Sequence, residues 1–204
     1  ATLRGDPGGA LSRLAGLGDR PLALDLTLDG PAERADVTLS AAAGPGLEAQ
    51  VSGTVSAPDT QRLGATLEGR VDASGLVEGP LARLAGPVAL RLDAGRMADG
   101  LVDLRALRLA GDAGVVEAEG RLDLEGTRSA LRLRAALPAS TAYAGLIPDD
   151  IAGWDALQAE GEVSGALAAP RVALTVEPTG FRSSVAALAA LLGPTPRLVL
   201  RGAA

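Results

Sequence analysis

Along most of the chain, apolar and polar residues alternate with a period of two, the pattern of a strand with one apolar and one polar face. Between Val116 and Glu125 the alternation is complete. Val116, Ala118, Gly120, Leu122 and Leu124 take one parity, and Glu117, Glu119, Arg121, Asp123 and Glu125 take the other. Shorter runs of the same kind begin at Leu22, Leu24, Leu26 and Leu28, followed by Val37 and Leu39. Next come Leu47, Ala49, Val51 and Val55, then Leu63, Ala65, Leu67 and Val71, then Val88, Leu90 and Leu92, and Leu107 and Leu109. Beyond Val116 the series continues with Leu131, Leu133 and Ala135; Leu157, Ala159 and Val163; Val172, Leu174 and Val176; and Leu198 and Leu200. These runs predict about eleven strands. Turns such as Asp29-Gly30-Pro31, Gly44-Pro45-Gly46 and Gly86-Pro87 join them.

Short connections without full-length helices favour an antiparallel meander over a parallel crossover sheet. Apolar spacing of three and four predicts short helices at Leu11 to Leu17, Pro80 to Leu84, Thr141 to Leu146 and Ser183 to Leu192. Gly193-Pro194 stops the last of these, which reads as a short helix packed on the sheet end or covering the mouth of the groove; a membrane-surface contact is the less favoured reading. Ala139 to Trp154 reads as an excursion from the sheet, with Tyr143, Leu146, Ile151 and Trp154 converging as a local plug. A Gly-centred unit recurs at Ser52-Gly53-Thr54-Val55-Ser56, Glu68-Gly69-Arg70-Val71-Asp72, Glu119-Gly120-Arg121-Leu122-Asp123 and Glu160-Gly161-Glu162-Val163-Ser164. In each, Gly falls on the apolar parity, where it permits bending or close approach, so the sheet is expected to curve.

Composition narrows the chemistry. The 204 residues contain no His and no Cys, which removes imidazole bases, thiol nucleophiles and the usual zinc and haem ligands. Every one of the 19 basic residues is Arg, a bias of GC-rich bacterial coding, and the net charge of −6 argues against a nucleic-acid partner. Apolar residues make up 47% of the chain but aromatic residues 1%, so the apolar faces are Leu, Val, Ala and Gly. A sandwich core of this size needs larger side chains to fill the gap between its sheets. A thin, open sheet is therefore expected. The longest uncharged apolar stretch, Val185 to Leu192, is far below the roughly 20 residues of a membrane span. No secretory signal opens the sequence, and without an initiating Met it reads as one 1–204 segment of a longer protein. Its raw sheet edges predict self-association.

Gly161-Glu162-Val163-Ser164-Gly165-Ala166-Leu167-Ala168-Ala169-Pro170-Arg171-Val172, followed by Leu174 and Val176, resembles the recurring hairpin of TamB-like proteins of the AsmA-like group. Leu146-Ile147-Pro148 to Gly153-Trp154, and Leu188 to Gly193 before Pro196-Arg197-Leu198-Val199-Leu200, are similar to inter-strand stretches there. The resemblance implies a periplasmic bridge anchored in the inner membrane and reaching an outer-membrane barrel of the TamA type. It further implies a taco-like groove that conducts phospholipid between the membranes and supports outer-membrane assembly.

On that reading the acyl chains would contact Leu24, Leu26, Leu28, Val37, Leu39, Val51, Val55, Leu67, Val71, Leu90, Leu92, Leu107, Leu109, Val116, Leu122, Leu124, Leu131, Leu133, Val163, Val172, Leu174 and Val176. Each methylene leaving water gains about 0.8 kcal/mol, and a charge in the lining would break the path. The alternative is a structural or adhesin-type module whose apolar face is simply core. Carboxylate pairs at Asp149-Asp150, Glu117 with Glu119, and Asp123 with Glu125 are read as a turn and a solvated strand face. No calcium loop accompanies them, and Ser183-Ser184 has no activating base. The chain is expected to be a non-enzyme without cofactor or metal.

Overall fold

A computed structural model describes residues 2–5, 20–31, 33–59, 61–123, 128–147, 152–166, 169–186, 193 and 196–203. They form one antiparallel sheet whose twelve strands lie in chain order from edge to edge. The strands are β1 (Thr2–Gly5), β2 (Leu22–Asp29), β3 (Arg34–Ala42), β4 (Glu48–Ser56), β5 (Leu63–Asp72) and β6 (Val88–Arg96). They continue as β7 (Leu101–Gly111), β8 (Gly114–Asp123), β9 (Ser129–Leu137), β10 (Ala156–Ala166), β11 (Ala169–Thr179) and β12 (Leu198–Ala203). Strands β2 to β12 fall where the alternation puts them. The added strand is β1, whose four residues pair with Leu22 to Asp25 but are too few to show a period.

Twelve strands usually split into two packed layers or close on themselves. Here a single sheet forms, β1 and β12 remain its two edges, and the all-β curved architecture expected from the sequence is the one present. Ala43, Ala118 and Trp154 are the buried hydrophobic residues among those described. A sandwich would bury alternate residues of nearly every strand, so burial this sparse identifies a single layer.

Curvature has identifiable local causes. In β7 the apolar parity slips from Val102 and Leu104 to Leu107 and Leu109, and the pairing shifts with it. Leu104 and Leu107 face Gly120 and Ala118 of β8, so Arg105 and Ala106 together oppose Glu119. On the other side the pairing with β6 shifts between Asp93 and Ala94. This is a β-bulge, which bends its strand and sharpens local twist. The recurring Gly positions supply close approach. A Cβ at Gly69 would lie 2.1 Å from the Gln50 carbonyl oxygen, and one at Gly120 would lie 2.1 Å from that of Ala130.

The meander gives the sheet two unlike rims. Short connections link β2–β3, β4–β5, β6–β7, β8–β9 and β10–β11 along one rim. The other rim carries the short β3–β4 and β7–β8 connections together with the longer β1–β2, β5–β6, β9–β10 and β11–β12 connections. The helix α1 (Pro80–Leu84) lies between β5 and β6 where the spacing predicts it, with Pro at its start. The Thr141 to Leu146 expectation is met by a single-turn helix, Ser140–Tyr143. Leu11 to Leu17 and most of Ser183 to Leu192 lie outside the described residues.

The excursion after β9 folds back on the sheet end. Tyr143 and Trp154 rings meet at 5.9 Å, inclined by 43°. The Trp154 Nε1–H donates to the Pro138 carbonyl at 2.9 Å, and the Tyr143 hydroxyl donates to the Ala113 carbonyl in the β7–β8 turn at 2.6 Å. Burial pushes the Tyr143 hydroxyl pKa upward. Trp154 is 8% exposed, as the plug requires; Leu146 is half-buried, and Ile151 lies outside the described residues. Trp emission is therefore expected to be blue-shifted and resistant to acrylamide. The Ser140→Ala variant, which removes the Oγ acceptor 3.2 Å from the Trp154 amide, should cost about 1 kcal/mol in urea unfolding.

Candidate functional site: the apolar face

Because every strand pairs in register with the next, same-parity residues join into rows that cross the whole sheet. One row runs from Leu28 through Val37, Gly53, Leu67, Leu92, Leu107, Ala118, Leu133, Gly161 and Leu174 to Leu200. Beside it lie Leu26, Leu39, Val51, Gly69, Leu90, Leu109, Val116, Ala135, Ala159, Val176 and Leu198. A third row, nearer the rim of the β2–β3 connection, joins Ala35, Val55, Ala65, Ala94, Leu104, Gly120, Leu131, Val163 and Val172. No polar residue interrupts any of the three. At strand spacings of about 4.8 Å they extend over roughly 50 Å.

Twenty-one of the 22 residues that the sequence assigns to the lining share this face by register; Leu124 lies outside the described residues. Alternation missed Val102, Leu104 and Ala94, because the β7 bulge breaks the parity of the run that contains the first two. The signal was the slip itself in Leu101-Val102-Asp103-Leu104-Arg105-Ala106-Leu107. Arg96, at the end of β6, is a charged residue of apolar parity, which the sequence reading did not expect.

Alanine serves as an internal probe of the two faces. On the apolar parity Ala35, Ala41, Ala49, Ala65, Ala94, Ala135 and Ala159 are half-buried and Ala118 is buried. On the polar parity Ala23, Ala42, Ala89, Ala106, Ala130, Ala136 and Ala173 are exposed, while Ala110, Ala156 and Ala166, near strand ends, are half-buried. Identical side chains differ because the apolar face supplies larger Leu and Val neighbours and curves inward around them. The large residues themselves stay only partly shielded, with Leu28 59% and Leu200 58% exposed at the two ends of the first row. That face forms a trough, open to solvent and continuous from β2 to β12.

Opposite-charge pairs cover the outer face. Cross-strand salt bridges join Arg108 to Glu117, Arg121 to Asp103, Arg132 to Glu162 and Arg134 to Glu160, and Arg105 at the bulge clasps Asp93. The hollow of about 330 Å³ between Arg105, Arg108, Glu117 and Arg134 is a space between these side chains, not a second apolar site. All the pairs are solvent-exposed and so contribute little individually. The Glu162→Gln variant is expected to change unfolding free energy by less than about 0.5 kcal/mol. The Arg105 guanidinium holds the Asp93 carboxyl below the usual carboxylate range, and the Gln61 and Arg62 amides with the Arg62 side chain do the same for Asp59. Such depressed carboxyls favour the folded state above the ordinary carboxylate pKa of about 3.9, and that contribution fades as pH falls further.

Among the described residues no group of carboxylates could hold a metal ion, and Glu117 and Glu119 face Arg108 and Arg132 across the strands. Asp149, Asp150 and Glu125 lie outside the described residues. No described helix is long and apolar enough to cross a membrane. What the fold and face define is an open, single-layer antiparallel sheet with one apolar and one charged surface. No family model, curated protein or solved structure matches the chain.

Proposed function

We propose that the trough carries lipid acyl chains, and that the chain is a segment of a TamB-like bridge in the periplasm of a Gram-negative envelope. One observation carries the reading: three uninterrupted apolar rows cross the sheet, and among the described residues no second layer packs against them. An exposed apolar surface of this length marks a binding site for something apolar. Acyl chains suit it because they need area and continuity, not directional contacts. Each methylene that leaves water contributes about 0.8 kcal/mol wherever along the row it lies, so a chain can slide without crossing large barriers. The mechanism is passive, and no side chain performs bond chemistry. The inner-membrane anchor and the outer-membrane barrel partner of the TamA type belong to the same proposal and rest on the hairpin resemblance.

Native mass spectrometry of gently purified protein tests the reading. Phospholipid adducts released only on activation are expected. An adduct-free mass, together with failure to take up phospholipid from detergent micelles, would favour a structural module.

A further inference from the structure

The two rims of the trough differ in how far they are covered. Beside the rim of the β9–β10 connection lie Leu24, Val71, Val88, Leu137, Leu157 and Pro178, all of apolar parity. None of them is exposed, and Pro178 is buried. Beside the rim of the β2–β3 connection, Leu28, Leu63 and Val172 are 59%, 50% and 39% exposed, and Val55, Val102 and Leu122 are half-buried. Ser129 is the buried exception there, and its hydroxyl donates to the Gly165 carbonyl at 2.8 Å.

The excursion after β9, with the start of the β11–β12 connection, covers the first of these rims. It is tied at three points spread along the strand ends. The Tyr143 hydroxyl donates to the Ala113 carbonyl in the β7–β8 turn, and the Trp154 indole donates to the Pro138 carbonyl at the end of β9. Beyond β11, Gly153 and Arg182 exchange two backbone hydrogen bonds of 2.8 Å. Alternate burial puts this cover on the apolar side. In β11 the buried Pro178 stands between exposed Glu177 and Thr179, and before β12 the buried Pro196 stands beside exposed Arg197. Along the apolar parity of β11, burial rises from Val172 through half-buried Leu174 and Val176 to Pro178.

We propose that between β8 and β11 the trough takes lipids with a single polar end, laid along the strands with the headgroup at the rim of the β10–β11 connection and the chain ends against the wall of Tyr143 and Trp154. The inference rests on the trough reading. Both rings have their polar atoms already paired with carbonyls, so they offer chain ends an apolar surface and a headgroup nothing to bind. The opposite rim leaves a headgroup in water. Dimensions agree with this arrangement: Ser129 to Leu137 of β9 span about 26 Å, and one leaflet's hydrocarbon, half of a bilayer core, is about 15 Å deep. Lipids side by side would then advance from strand to strand with every headgroup on the same rim.

The chain has one Trp and no Cys, so a fluorescent reporter can be set at each rim of the full chain. Trp154 marks the walled side, and bimane on Ala169→Cys, exposed at the start of β11, marks the open side. The probes are two phosphatidylcholines, one with a nitroxide on the headgroup and one with a nitroxide at the end of a chain. The headgroup label should remove most of the bimane emission and little of the Trp154 emission, and the chain-end label should reverse that order. Quenching in the opposite sense, or equal quenching of both reporters by both labels, would overturn the orientation while leaving the trough intact. A folded chain that takes up neither lipid, or that binds them without quenching either reporter, would overturn the trough and the orientation together.

Discussion

Leu133→Asp is expected to empty the trough of lipid while leaving the sheet folded. Leu133 sits in the middle of the first row, between Ala118 of β8 and Gly161 of β10. It is half-buried by its neighbours, and among the described residues no second layer covers it. In the empty protein a carboxylate here reaches water, so the folded state loses chiefly the lateral contacts of one Leu, about 1 to 2 kcal/mol. With acyl chains in place the same charge is stripped of solvent, at several kcal/mol. Phospholipid recovered with the protein should fall at least about tenfold, with an unchanged far-ultraviolet circular dichroism spectrum. Leu174→Asp, two strands along the same row, should behave alike, and Glu162→Gln on the outer face should alter neither property. Loss of folding with every inward charge would mean that the face is a closed core, and the trough reading would fail.

Alternation made β2 to β12 legible because each strand shows water to one face and apolar neighbours to the other, a period that needs no tertiary knowledge. The same residues cannot say whether a second sheet closes over the apolar face, since Leu133 or Val163 would alternate identically in a sandwich. Scarcity of aromatic side chains supplied that distinction, through what they would have had to fill. Two features stayed hidden. The four residues of β1 are too few to show a period. The β7 bulge converts one strand into two half-runs of opposite parity, so Val102 and Leu104 dropped out of the predicted lining.

Gly120→Ala should be strongly destabilising for a single-methyl change, costing roughly 2 to 5 kcal/mol. Two independent constraints meet at this residue. Its φ of +136° is a conformation that L side chains rarely adopt, and its Cβ would stand 2.1 Å from the Ala130 oxygen and 2.9 Å from the Leu131 Cα. Both obstructing atoms belong to the backbone of β9, which pairs with β10 on its far side, so relief requires breaking a ladder and not turning a side chain. Gly202→Ala is the matched control, because nothing lies within 4 Å of its Cβ position, and it should cost less than about 0.5 kcal/mol. Urea midpoints at constant slope read both variants. Gly120 faces Leu104 across the bulge and Leu131 on the other side. Its loss therefore separates the halves of the third row, and lipid content should decline together with folding. That coupling is the opposite of the Leu133→Asp result. Measured side by side, the two variants assign the first effect to the continuity of the sheet and the second to the surface it presents.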